Sequence, residues 1–145
     1  ITGGIMSGAS IEKMRKQLEE RFNVAKHAAN RLIRTETTYF ANMAEMEAYE
    51  EAEIERYRFV ATLDLRTSQM CRQHDNKVYL VKDARPGVNM PPLHPYCRST
   101  TIAVIDVGEE ANLQRRARDP VTGKTYLVPA SMSYQEWYEK FVKVG

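Results

Sequence analysis

The chain has no apolar run near the ~20 residues that a membrane-spanning helix requires. Its opening residues, Ile1-Thr2-Gly3-Gly4-Ile5, also lack the basic and hydrophobic regions of a signal peptide. Both absences point to a cytosolic origin and away from a membrane partner. Cysteine is scarce, with two in 145 residues, which excludes a secreted scaffold built on disulfides. Seven Gly and six Pro are too few for a collagen-like or low-complexity chain, and an apolar content of 43% excludes disorder by composition. Charge of one sign is lacking as well. A net +2 gives no compositional case for nucleic-acid binding, which needs clustered cations. There is no internal repeat and no Met at position 1, so the expectation is one fragment of a larger protein.

What is present reads first as helix. Ser10 is a good N-cap with Glu12 in the first turn, and Ile11, Met14, Leu18, Ala25, Ala28 and Leu32 recur at three-and-four spacing. Phe22-Asn23 marks a break, leaving a short helix from about Ile11 to Phe22 and a long one after it. The long helix carries apolar residues on more than one face, the pattern of a helix held between two neighbours. Six Glu between Glu45 and Glu55 oppose its macrodipole, so either its end frays or a partner neutralises it.

From Tyr57 the period changes to two. Tyr57, Phe59, Ala61 and Leu63 alternate with Arg58, Val60 and Thr62, predicting a half-buried strand. A short helix or turn over Thr67 to His74 leads through Asp75-Asn76 to a second strand, Lys77 to Val81. Pro86-Gly87 and Pro91-Pro92 exclude regular structure. The β-branched run Thr100 to Ile105 predicts a third strand, central and the most deeply buried in the chain. A small peripheral hairpin is expected around Asp119-Pro120-Val121-Thr122-Gly123-Lys124. A capping box of Ser133 and Glu136 opens a closing helix with Tyr134, Trp137, Tyr138 and Phe141 on one side. The expected fold class is α+β: long N-terminal helices packed with a small, mainly antiparallel sheet and a short C-terminal helix. Residues 1–56 would form a helical arm and residues 57–145 a small α+β unit.

Reactive side chains concentrate between Asp64 and Arg98. Cys71-x-x-His74 and His94-x-x-Cys97 supply two thiolates and two imidazoles, the donor set and spacing of a tetrahedral zinc site. The same residues allow a Cys71 to Cys97 disulfide, or plain buried cysteines with hydrogen-bonded histidines. Asp64 at a strand end can accept hydrogen bonds from the Arg66-Thr67-Ser68 turn, and Arg98 can form a bidentate pair with Asp64 or Asp75. Arg34 and Glu36 are two apart on a helix and cannot face each other, so each is expected to pair with the β unit. Arg115, Arg116 and Arg118 form a small basic cluster, either a solvated strand edge or a DNA contact.

Five blocks in order carry a resemblance to a known family. They are Arg34-Thr35-Glu36, Asp64-x-Arg66-Thr67-Ser68, Cys71-Arg72, Asp75-Asn76-Lys77-Val78-Tyr79 and Pro91-Pro92-Leu93-His94-Pro95-x-Cys97-Arg98. In this arrangement, over about Ile11 to Ile105, the chain resembles the phage Mu F-like minor head protein family. The resemblance implies a structural protein that is not an enzyme. It would contact the portal protein and other head proteins and assist head assembly, DNA packaging or DNA ejection. Its location would be the host cytoplasm during assembly and then the virion head. From the residues themselves, Lys13, Arg15, Lys16 and the Arg115, Arg116 and Arg118 cluster allow a DNA contact, and the apolar helical stripes permit self-association. The chain departs from the family pattern in carrying Ser68 and Ser99 where cysteines are common and His74 where Leu is common. The reading from a different class is a small nuclease or toxin-like domain with His74 and His94 as base and acid and Arg98 on a phosphate. Against it stands the lack of a phosphate-binding Gly loop, a carboxylate cluster or a nucleophile motif.

Overall fold

A computed structural model describes residues 1–105 and 112–144. Three helices come first: α1 (Thr2–Met6), α2 (Ile11–Phe22) and α3 (Lys26–Glu51). The Ser10 side chain accepts the Lys13 N–H at the start of α2, and Asn23 closes that helix in the left-handed region at φ 49°. The Gly-rich lead forms the single turn α1. Gly4 suits it because a Cβ there would stand 2.7 Å from the Met14 sulfur.

Helix α3 meets different neighbours along its length. It packs on α2 and also on β3 and the 3-10 turn Val81–Asp83 that follows β2. Its buried residues, Ala29, Ile33, Asn42, Met46 and Tyr49, recur along the helix in step with that sharing. The Glu-rich end does not fray. The N–H groups of Glu53 and Ile54 bond to the carbonyls of Glu50 and Tyr49, and Ile54 packs on the cluster containing Tyr49. This pairing satisfies two otherwise orphaned helix carbonyls, and the apolar contact beside it outweighs the unfavourable carboxylates.

The sheet comprises β1 (Arg56–Val60), β2 (Val78–Leu80) and β3 (Thr100–Ala103), with α4 (Gln69–His74) between β1 and β2. Strand order is β2-β1-β3 and both pairings are antiparallel, with Tyr57 opposite Tyr79 and Phe59 opposite Thr101. The central strand is therefore β1, not the β-branched run expected there. β3 is an edge with a largely half-exposed pattern, and Ile105 beyond it is 76% exposed. A β-branched composition reports strand propensity, whereas burial is decided by which strand has both edges paired.

Strand β1 and its extension distribute the core. Tyr57 joins Met46, Tyr49, Val81 and Met90; Phe59 and Ala61 join Cys71, Leu93 and Cys97; Leu63 joins Ala117, Val128, Tyr134 and Trp137. The last group includes the hairpin of β4 (Gln114–Arg118) and β5 (Thr125–Pro129) and the helix α5 (Tyr134–Trp137). The hairpin is not peripheral. Ala117 bridges Leu63 in parallel, and the Arg118 N–H donates to the Leu63 carbonyl at 2.9 Å. The capping box opens α5 as expected, and a π-helical turn over Tyr138–Val142 continues it. Tyr134 and Trp137 are buried, while Phe141 remains 39% exposed.

Glu53 holds the left-handed conformation at φ 56°, where a Cβ is penalised by ~1–2 kcal/mol. Glu53→Gly should raise stability by ~0.5–1 kcal/mol, after the greater unfolded-state entropy of Gly is deducted. The check is a higher urea midpoint at an unchanged slope.

Candidate functional site

Asp64 ends β1's extension and organises the turn that follows. Its Oδ1 accepts the Arg66 N–H at 3.0 Å and the Thr67 hydroxyl at 3.1 Å. The Arg98 guanidinium forks onto both its oxygens, at 2.6 and 2.8 Å. Burial alone would raise the Asp64 carboxyl, but Arg98, helped by Thr67 and the Arg66 N–H, more than offsets this and holds it below the usual carboxylate range. The fork ties the turn after β1 to the loop before β3, some 34 residues on. Arg66 contributes its backbone and not its side chain to this arrangement.

Asp75 belongs to a second clamp. It does not pair with Arg98; its partner is Arg115, at 2.9 and 3.0 Å, with side-chain exposures of 1% and 8%. Asp75 also accepts the Ala61 N–H at 2.8 Å and the Tyr134 N–H at 2.6 Å. Arg115 further donates to the carbonyls of Met132 and Ala61. This corrects the expectation that Arg115 serves a nucleic-acid contact: its charge is spent inside the protein, and only Arg116 and Arg118 of that cluster face solvent. Alternation along β4 is the reason, since a strand that buries Ala117 buries Arg115 two residues before it.

Among the described residues, no hydrogen bond or ion pair joins Arg34 or Glu36 to the β unit as expected. Arg34 is exposed and donates to Asn30 one turn back along α3. The tie comes from threonines on the same helix. Thr38 donates to the Cys97 carbonyl at 3.1 Å, and Thr35 accepts the Tyr96 N–H at 3.2 Å. Sequence reasoning missed both. The signal within reach was the threonine-rich stretch Thr35, Thr37 and Thr38, whose hydroxyls also bond back to their own helix carbonyls.

Three of the four metal-type residues converge. Cys71 Sγ lies 3.2 Å from His94 Nε2 and 3.7 Å from Cys97 Sγ, and the donor atoms of all three fall within 4.8 Å of one another. Both cysteines are free thiols and buried. His74 is excluded from the group. Its Nδ1 bonds the Tyr79 hydroxyl at 2.6 Å and its ring packs against Phe59 and Tyr79. Burial, then the nearby Lys77 charge, pushes its pKa down. Helical geometry explains the separation: α4 is short, Ser68 caps it by accepting the Cys71 N–H, and that cap turns Cys71 toward the Pro-rich loop while His74 meets the sheet. The two sulfurs share a hydrogen bond, and this bond, with backbone groups of Leu93 and Ser99, lowers the Cys97 pKa against the effect of burial. The same hydrogen bond and burial push Cys71 up. The nuclease reading needs His74 and His94 on one phosphate, and they do not share a site. A crevice of about 30 Å³ beside Ser68, Cys71, His94 and Ser99 has room for about one water.

A family described as Phage Mu protein F like protein matches residues 1–102. The chain belongs to that family. Mu F-like proteins are structural proteins related to the phage head. No curated protein and no solved structure matches the chain. Within the matched Mu F-like region lie the Asp64 to Arg98 fork, Asp75 and the Cys71, His94 and Cys97 cluster. Arg115 and Tyr134, which complete the Asp75 clamp, lie beyond it.

Arg115→Met should cost ~3–5 kcal/mol, because it strands Asp75 as an unpaired buried charge. Arg98→Met should cost less, ~1–3 kcal/mol, since Arg98 is 39% exposed and solvent screens its fork. Arg116→Met should change stability by no more than ~0.5 kcal/mol. Urea unfolding at pH 7 checks this order.

The depressed Asp64 pKa also fixes a pH dependence. Its stabilisation is fully present above the unfolded carboxylate value of ~3.9. It is lost as the pH falls below that, through the lower folded value. Arg98→Met should weaken this part of the dependence as the pH falls below about 4, as read by acid titration followed by circular dichroism.

Proposed function

We propose that the protein is a minor head component of a phage or prophage, acting without turnover at the portal vertex. There it assists head assembly and the packaging or ejection of DNA. It resides in the host cytoplasm during assembly and in the virion head afterwards. Its partners are the portal protein and other head proteins, with self-association and DNA contact as further partners.

Membership of the Mu F-like family supports the head assignment. The observation that carries the architectural reading is how the polar groups between Asp64 and Arg98 are used. Asp64, Thr67, Asp75 and Arg98 bond to one another's segments or to backbone, and Thr67 and Arg98 line a crevice with room for about one water. A wider groove of about 850 Å³ beside α3 takes His94 and Arg98 into its lining, and its described lining residues include no carboxylate and no second histidine to act with them. Hydrogen bonds of the same region, from Thr38 to the Cys97 carbonyl, Thr62 to the Arg98 carbonyl and Asn76 to the Ala130 carbonyl, join α3, the Pro-rich loop, β1 and the hairpin into one body that can present surfaces. The Arg116 and Arg118 side of the hairpin is the part left for a DNA contact.

Co-expression of the full-length protein with the portal protein encoded beside it is the direct test. Affinity capture of either should retain the other in a fixed ratio that survives gel filtration. Separate elution of the two full-length proteins would sink the portal reading. Cleavage of labelled DNA or RNA that disappears in His94→Ala would sink the non-enzymatic one.

A further inference from the structure

We propose that Cys71, His94 and Cys97 form a structural binding site for one zinc-type divalent ion, with the Ser68 side at the fourth position and His74 outside it. Distances carry the argument. Two thiolates bound at ~2.3 Å to one tetrahedral zinc stand ~3.8 Å apart, and a thiolate and an imidazole nitrogen ~3.6 Å apart. The two sulfurs here are 3.7 Å apart, and Cys71 Sγ is 3.2 Å from His94 Nε2. Those two separations need shifts of a few tenths of an ångström, and the third, Cys97 Sγ to His94 Nε2, lies within 4.8 Å and closes by up to about one ångström on an ion.

The histidine is already oriented for the task. Its Nδ1 lies 2.7 Å from the Pro95 carbonyl, which can only accept, so Nδ1 carries the proton. That leaves the Nε2 lone pair aimed at Cys71 and Ser68, the second-sphere arrangement that metal-binding histidines use. Ser68 Oγ stands 2.9 Å from Nε2 and supplies an oxygen, directly or through one water, at the remaining position.

The donor set selects the metal. Two sulfurs and an imidazole without a carboxylate suit zinc and other borderline or soft ions, and not calcium or magnesium. Cys71 and Cys97 are 1% and 2% exposed, and the crevice has space for about one water. Such a site would fasten α4 to the loop before β3, across the same junction that Asp64 and Arg98 hold.

The test uses the whole protein, purified under reducing conditions without chelator, and Zn²⁺ and Co²⁺ as probes. The expected result is one equivalent of metal per chain and a melting temperature that falls on chelation and recovers with Zn²⁺. Co²⁺ should give sulfur-to-metal charge transfer and the strong visible bands of tetrahedral coordination. Cys71→Ser and Cys97→Ser should lose the equivalent. His74→Ala and Ser68→Ala should keep it, His74 being no ligand and water taking the place of the Ser68 oxygen. Wild-type protein that takes up no stoichiometric Zn²⁺ or Co²⁺ and melts unchanged with chelator overturns the site, even where a cysteine variant fails to fold. Loss of the metal in a folded His74→Ala variant overturns the ligand assignment. Neither outcome depends on portal binding.

Discussion

Asp75 sits where four parts of the chain would otherwise leave polar groups without partners. It accepts from the Ala61 backbone, from the first residue of α5 and from both terminal nitrogens of Arg115, and its own N–H caps α4. An unpaired charge or backbone donor in such a place costs several times the net worth of a single hydrogen bond. The position of the hairpin, of α5 and of the turn before β2 therefore follows from satisfying one side chain. Because Arg115 comes from outside the region matched to the Mu F-like family, that region alone leaves this carboxylate without its countercharge.

Around that point the molecule is arranged along a single strand. Alternate residues from Tyr57 to Leu63 feed three successive apolar clusters: one toward α3, one toward α4 and the Pro-rich loop, one toward the hairpin and α5. The strand's opposite ends are thus packed on the helices and on the hairpin. The Asp64 to Arg98 fork and the Cys71, His94 and Cys97 cluster fasten the middle segment. A Mu F-like head protein built this way keeps its helices and its hairpin in fixed relation, which suits a part whose task is to be gripped by neighbours.

Much of this was legible in the residues because local rules governed it. The Ser10 cap, the Asn23 break, the period-two run from Tyr57 and the Ser133 and Glu136 capping box each report a local conformation, and each is found. The Asp64 turn is local as well, and its Arg98 partner was one of two carboxylate choices. Where the outcome depended on a face or a neighbour, the reading failed. Arg115 looked like one of three surface cations, Thr100 to Ile105 like a core strand, and His74 like a ligand by its spacing from Cys71.

The sequence by itself determined the elements, their order, their caps and the chemical character of the Asp64 to Arg98 segment. It could do so because helix and strand periods and turn chemistry act over a few residues. Tertiary structure alone decided which carboxylate took which arginine, which histidine stands beside the thiols and that β1, not β3, lies at the centre. Those choices hang on contacts between residues 20 to 59 positions apart, made only once burial has removed water as the competing partner.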